Sequence, residues 1–274
     1  MPGSPPVAVV TDSTASLPAD LARQLTVVPL AVVVNGVERD DVAPDDIAHS
    51  SVTTSRPAPG EFGAVYRRLL ADGAESIVSV HLSANFSGTL EVARLAAAEF
   101  AGRVEVVDSH STAMGLGFPA LAAARAAHQK ADLSRVLAAA ASAIARTTTL
   151  FYVDTLEYLR RGGRIGAASA LVGTALSVKP ILQTTDHGVT VREKVRTSSR
   201  ALIRLADLAI EAAGSGTVDV AVHHLAAPDR ADQLASALKD RLGDRLRAAY
   251  QSEVGAVVGA HVGPGTVAVV IHRV

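Results

Sequence analysis

Short runs rich in β-branched residues alternate along the whole chain with Ala- and Leu-rich stretches of helical length, and this alternation constrains the fold more than any other feature. Such a pattern packs as βαβ units, in which each crossover helix covers the sheet that it connects. The spacing predicts strands at Val7–Thr11, Val28–Val34, Ser76–His81 and Val104–Asp108, and helices over Gly60–Ala71, Gly88–Phe100, Thr112–Lys130 and Leu133–Ala145. Small polar residues directly follow three of those strands: Asp12-Ser13-Thr14, Ser83 to Thr89, and Asp108 to Thr112. These are helix-capping types. In a parallel sheet all three junctions fall on the carboxyl edge, where doubly wound folds bind ligands.

Downstream, strands are predicted at Thr148–Asp154, Pro180–Thr184, Val189–Val195, Thr217–His223 and Thr266–His272. A short helical stretch, Thr155–Arg160, stops at Gly162-Gly163, and longer helices are expected at Ser199–Ala213 and Asp229–Leu242. Thr185-Asp186-His187-Gly188 reads as a hairpin turn, which brings antiparallel pairing into this half. The expected class is therefore α/β in two domains. Residues 1–147 form a mainly parallel sheet flanked by helices, and residues 148–274 a mixed sheet.

Composition excludes several functions. A formal net charge of −1 leaves no basic surplus for a phosphate backbone, and 3% aromatics without Trp cannot build a base-stacking platform, so nucleic acid is not an expected partner. The absence of Cys removes disulfides, thiolate nucleophiles and Cys-ligated metals. Nine scattered His with no His-Glu-x-x-His give no expected metal site. The N-terminus lacks a basic and then apolar leader, and no 18-residue charge-free run occurs. A cytoplasmic protein without stable membrane insertion is expected.

Gly115-x-Gly117-x-x-Ala120 imitates a dinucleotide fingerprint, but six residues separate it from the strand and it is expected inside a helix, where its glycines allow close packing. No phosphate loop is present. Asp108-Ser109-His110 places three triad residue types in a row, yet adjacency is no triad and no Gly-x-Ser-x-Gly elbow occurs. A serine-type acyl or phosphate-ester hydrolase using Ser109 or Ser87 remains the alternative reading. More informative is the concentration of uncharged hydroxyls expected at helix starts: Thr53, Thr54 and Ser55, then Ser83, Ser87 and Thr89, then Ser109, Ser111 and Thr112. Converging helix N-termini hold a carboxylate or phosphate without a cation, and Gly88 allows close backbone approach. His261, beside the tight Gly263-Pro264-Gly265 turn, either adds a donor or marks a plain strand connection. Arg160, Arg161 and Arg164 cluster about a glycine pair, as a phosphate or acidic-surface contact or a solvated helix end would.

Taken together, these segments resemble the DegV family, the fatty-acid-binding type that carries lipid for bacterial fatty acid kinase. The matching stretches are Val10-Thr11-Asp12-Ser13-Thr14, Thr54-Ser55-Arg56-Pro57, Ser83-Ala84-Asn85-Phe86-Ser87-Gly88-Thr89, Val107-Asp108-Ser109, Tyr158 to Ile165, Val178-Lys179-Pro180-Ile181, and His261 to Thr266. Two departures stand out. Arg56 replaces the family's usual Gln, and Ala84 replaces its second Ser.

The resemblance implies two α/β domains with a long-chain acyl group buried between them. It implies that Thr54 and Ser87 bind the carboxylate, with His261 reaching the head group or a water beside it and Ser55, Gly88, Thr89, Asp108 and Ser109 supporting the site. No cofactor is implied beyond the bound fatty acid, and no residue is catalytic. The partner implied is a separate fatty acid kinase that makes acyl-phosphate for phospholipid synthesis. Two basic clusters, Arg160, Arg161 and Arg164, and Lys194 and Arg196, are its expected contact. About sixteen buried methylenes at roughly 0.8 kcal/mol each supply most of the affinity. Neutral donors suit a carboxylate that must later accept a phosphoryl group, because a tight Arg clamp would stabilise the ground state.

Overall fold

A computed structural model describes residues 6–39, 42–50, 52–171 and 178–274. The first five residues, part of the N-terminus read above as carrying no leader, lie outside them. The chain divides into two compact units, one of residues 1–31 and 55–145, the other of residues 32–54 and 146–274. The single cut expected at 147 had put residues 32–54 in the first domain, so Thr54 changes unit.

The elements of the first unit are strands β1 (Val7–Asp12) and β2 (Thr26–Val28), with the short helix α1 (Ala19–Ala22) between them. After the excursion through the second unit, which holds β3 (Ala31–Val34), β4 (Val37–Arg39), α2 (Pro44–His49) and β5 (Val52–Ser55), come α3 (Pro59–Ala71), β6 (Ser76–His81), α4 (Thr89–Ala97), β7 (Val104–Asp108), α5 (Met114–His128) and α6 (Leu133–Ala145). The single strand expected over Val28–Val34 is broken because Pro29 cannot donate to a ladder. The next amide, Leu30, donates instead to Ser13 Oγ at 3.0 Å.

The sheet runs β2-β1-β6-β7 with every pair parallel. The order reverses at β1, which is the switch point of a doubly wound fold. Phe62, Tyr66, Ile77, Val92, Ala93 and Phe100 form the core on one side. Helix α5 is apolar almost all round and buries eleven of its residues. Gly115 to Ala120 lie within it, and a Cβ on Gly117 would stand 3.0 Å from Leu17 Cδ2, so this motif serves packing.

The second unit adds β8 (Thr147–Tyr152), α7 (Glu157–Arg161), β9 (Lys179–Thr185), β10 (Gly188–Val195), α8 (Ser198–Ala213), β11 (Val218–His224), α9 (Pro228–Leu242), β12 (Leu246–Glu253), α10 (Ala256–Val262) and β13 (Val267–Arg273). Its main sheet, β10-β9-β8-β13-β11-β12, is mixed, with only β11 and β12 parallel. Helices α8 and α9 cover it through Leu205, Leu208, Leu234 and Leu238, which meet Leu150, Val220 and Val269. A small sheet, β4-β3-β5, belongs to the same unit. Among the described residues no helix is long and apolar enough to cross a membrane.

Candidate functional site

In the second unit, Ile47 of α2 packs on Leu225 and Val254, with Val52, Tyr158, Ala256 and Val258 around them. This cluster brings β5 and α10 together. Gly259 of α10 has no room for a side chain, since a Cβ there would lie 2.8 Å from Ile47 Cδ1. Such contacts make Ala256–Val262 helical despite its β-branched residues, and His261 therefore sits in a helix and not in a strand connection. Gly263 closes that helix at φ 75°, and a Cβ on it would strike the Tyr158 ring.

Thr54 lies on β5, so Thr53, Thr54 and Ser55 occupy a strand and not the helix start expected of them. Its Oγ1 is 3.0 Å from His261 Nε2. Burial, with the Arg164 charge adding to it, pushes the imidazole down to about 4, so it is neutral near pH 7. Its Nδ1 is buried without a hydrogen-bond partner among the described residues and lies where a Cβ on Gly162 would be. A buried lone pair left empty costs less than a buried N–H left unpaired, which assigns the proton to Nε2. His261 then donates to Thr54 Oγ1, and the Thr54 hydroxyl keeps its own hydrogen for an incoming acceptor.

The first unit carries the other hydroxyls. Ser87 Oγ accepts from the Thr89 amide at 3.2 Å and lies 2.9 Å from Thr89 Oγ1. Thr89 is buried, so when its hydroxyl donates to Ser87, the Ser87 hydrogen is left for a ligand. Gly88 is the N-cap of α4. Asp108 braces two loops, accepting from the Ala84 amide at 3.2 Å and the His110 amide at 2.8 Å. Ala84 thus contributes through its backbone, which a missing hydroxyl does not affect. The junctions after β1, β6 and β7 are tied together on the carboxyl edge by Ser83 N–H to Ser111 O (2.9 Å), Ser109 N–H to His81 O (3.0 Å) and Ala113 N–H to Thr14 O (2.7 Å).

Among the described residues, neither serine weighed as a nucleophile meets a base. Ser109 Oγ donates to Ser111 O and accepts from Ser111 N, both at 3.2 Å, which is a local turn. Ser87 contacts Thr89. A Ser-His-Asp chain does exist elsewhere: Ser79 Oγ is 2.7 Å from His81 Nε2, and His81 Nδ1 is 2.9 Å from Asp12 Oδ2. All three residues are 0% exposed. Asp12 also accepts from Thr14 N and Oγ1 and from Leu82 N, while Tyr66 OH closes the far end on Ser79 at 2.9 Å. Burial pushes the Tyr66 phenol up to about 12, with Ser79 opposing. A triad sealed from substrate at both ends is scaffold. The sequence signal for it was Ser79-Val80-His81, two polar residues on one face of an otherwise apolar strand.

Of the basic residues, Arg160 is spent on Glu157 at 2.9 and 2.6 Å, Arg161 lies 5.1 Å from the Tyr158 ring centroid, and Arg164 donates to Gly162 O. Lys194 and Arg196 are exposed. An unpredicted cluster surrounds Asp154, which accepts from Arg230 at 3.0 Å and from Tyr152 OH at 2.5 Å, while Lys179 Nζ reaches its carbonyl at 2.8 Å.

The sequence profile of the DegV family of uncharacterised proteins matches residues 6–274. A DegV domain-containing protein of Streptomyces coelicolor is 50% identical, the match covering 97% of this chain and 98% of that one. One from Mycobacterium tuberculosis is 42% identical over 97% and 96%. Among solved structures, a fatty-acid-binding DegV protein of Thermus thermophilus superposes with TM-score 0.91 at 33% identity, covering 98% of this chain and 99% of its own. The fatty-acid-binding DegV of Bacillus subtilis gives 0.87 at 29%, with coverage of 98% and 99%. The chain belongs to the DegV family.

Proposed function

We propose that the chain is a fatty-acid carrier: it binds one long-chain acid, receives the carboxylate on the hydroxyls of Thr54 and Ser87, and presents it to a separate ATP-dependent kinase for conversion to acyl-phosphate. The observation that carries this reading is the Thr54–His261 pair, in which a neutral imidazole leaves a hydroxyl hydrogen for an anion. Ser87, backed by Thr89, offers a second hydroxyl of the same kind. The acids bound by the Thermus and Bacillus proteins support the ligand class.

His261 positions Thr54 and does not itself need to reach the head group. Uncharged donors hold the carboxylate while leaving its oxygen nucleophilic enough to accept a phosphoryl group. Of the basic residues expected at the kinase contact, Lys194 and Arg196 support that role best, because both are exposed and neither joins an ion pair among the described residues.

Native mass spectrometry of the purified chain, then calorimetry after delipidation, tests the carrier reading. One acid per chain and saturable binding of C14 to C20 acids are expected, and the absence of binding to all of them overturns it. Charge reversal at Lys194 and Arg196 is expected to lower acyl-phosphate formation with the kinase while fatty-acid affinity is retained.

A further inference from the structure

Arg56 stands in the loop between β5 and α3, and its side chain lies across Gly88. A Cβ on Gly88 would sit 2.7 Å from Arg56 Nη1 and 3.2 Å from Cδ. The φ of Gly88 is −73°, which any residue adopts, and the space beside its Cα is taken by the Arg56 side chain. The guanidinium thus packs on Gly88, the residue between Ser87 and Thr89, the hydroxyl pair of the first unit. Arg56 enters no ion pair among the described residues, although it carries five donors and a fixed positive charge. A cation that packs on the Ser87–Thr89 loop and pairs with no carboxylate among the described residues can attract an anionic head group.

We propose that Arg56 is a specificity-determining residue that makes the head-group site select an ionised lipid over a neutral one of the same chain length. The inference rests on the fatty-acid-carrier reading and deepens it. Hydroxyls alone hydrogen-bond a carboxylate, an alcohol or an ester carbonyl; a guanidinium adds attraction only for the charged head group. Because Arg56 is exposed, its field is screened, so it discriminates by charge without clamping the carboxylate.

The test measures affinities of delipidated full-length protein for palmitate and for 1-hexadecanol at pH 8, in the wild type, Arg56→Gln and Arg56→Lys, at low and high salt. The expected result is a loss of about three- to tenfold for palmitate in Arg56→Gln, the size of an exposed or charge-assisted contact. The affinity for hexadecanol stays level, Arg56→Lys recovers part of the loss, and salt weakens palmitate binding more in the wild type than in Arg56→Gln. An acid-to-alcohol ratio that is the same in wild type and Arg56→Gln overturns the role of Arg56 alone. Wild-type protein that binds neither probe overturns the carrier reading, and this inference with it.

Discussion

Each unit has a histidine joined to a hydroxyl, and the two histidines differ in how completely they are satisfied. His81 is 0% exposed, engages Asp12 through Nδ1 and Ser79 through Nε2, and belongs to a chain whose ends are capped by Tyr66 and by the Thr14 and Leu82 donors. His261 is part-buried, meets Thr54 through Nε2, and has an Nδ1 without a hydrogen-bond partner among the described residues. The first is a network with no capacity left over, which rigidifies a core. The second leaves the Thr54 hydroxyl hydrogen uncommitted among the described residues, and the proposed binding role rests on that difference.

The comparison breaks most readily at Asp12. Asp12→Ala leaves His81, Thr14 and Leu82 donors buried without an acceptor and is expected to cost about 3–5 kcal/mol in urea unfolding. A loss below ~1 kcal/mol would mean that the chain is not the scaffold described here. In the other unit, Gly162→Ala places a methyl on His261 Nδ1 and turns the ring away from Thr54. Palmitate affinity should fall about tenfold while Tm moves little, a split that the Asp12 variant cannot give.

Acid sharpens the contrast further. His261 and His223 are both pushed down to about 4, chiefly by burial, from an unfolded value near 6.5. Between those values the unfolded chain binds more protons, so stability is intact above pH 6.5 and declines as pH falls towards 4. Each histidine contributes up to ~1.4 kcal/mol per pH unit in that window. His261→Gln should make the pH dependence of unfolding shallower, and an unchanged slope between pH 6.5 and 4 would remove His261 from the account. The smallest effect is expected for Tyr66→Phe, which removes only the outer cap of the satisfied chain. Loss of ~1 kcal/mol and unchanged palmitate affinity are the outcomes to look for in denaturation and calorimetry.

Sequence periodicity located the regular elements where one face or both were plainly apolar. Ser76–His81, Val104–Asp108 and Leu133–Ala145 coincide with β6, β7 and α6. It missed β12, an edge strand whose inward positions are Leu246, Ala248, Tyr250 and Ser252 and so carry little apolar signal. It also missed α10, where packing on Ile47 and Leu225 outweighs local propensity. The residue types of the site were legible as hydroxyls and His261 in the order of the family's motifs. The partnership of Thr54 with His261 was not, because it depends on residues 32–54 joining the second unit, and no local pattern encodes a contact across 207 positions.

The excursion of residues 32–54 also sets the timetable of folding. Ile47 is covered by Leu225 and Val254, and the main sheet of its unit is not continuous until β13 joins β8 to β11. During synthesis at about 5–20 residues per second, those partners emerge roughly 10–40 s after Ile47 does. Throughout that interval the first unit's strands flank a nascent loop whose apolar face is bare. Halves of the protein expressed separately from a cut at 147 should each be insoluble, the first for want of a cover and the second for want of Ile47.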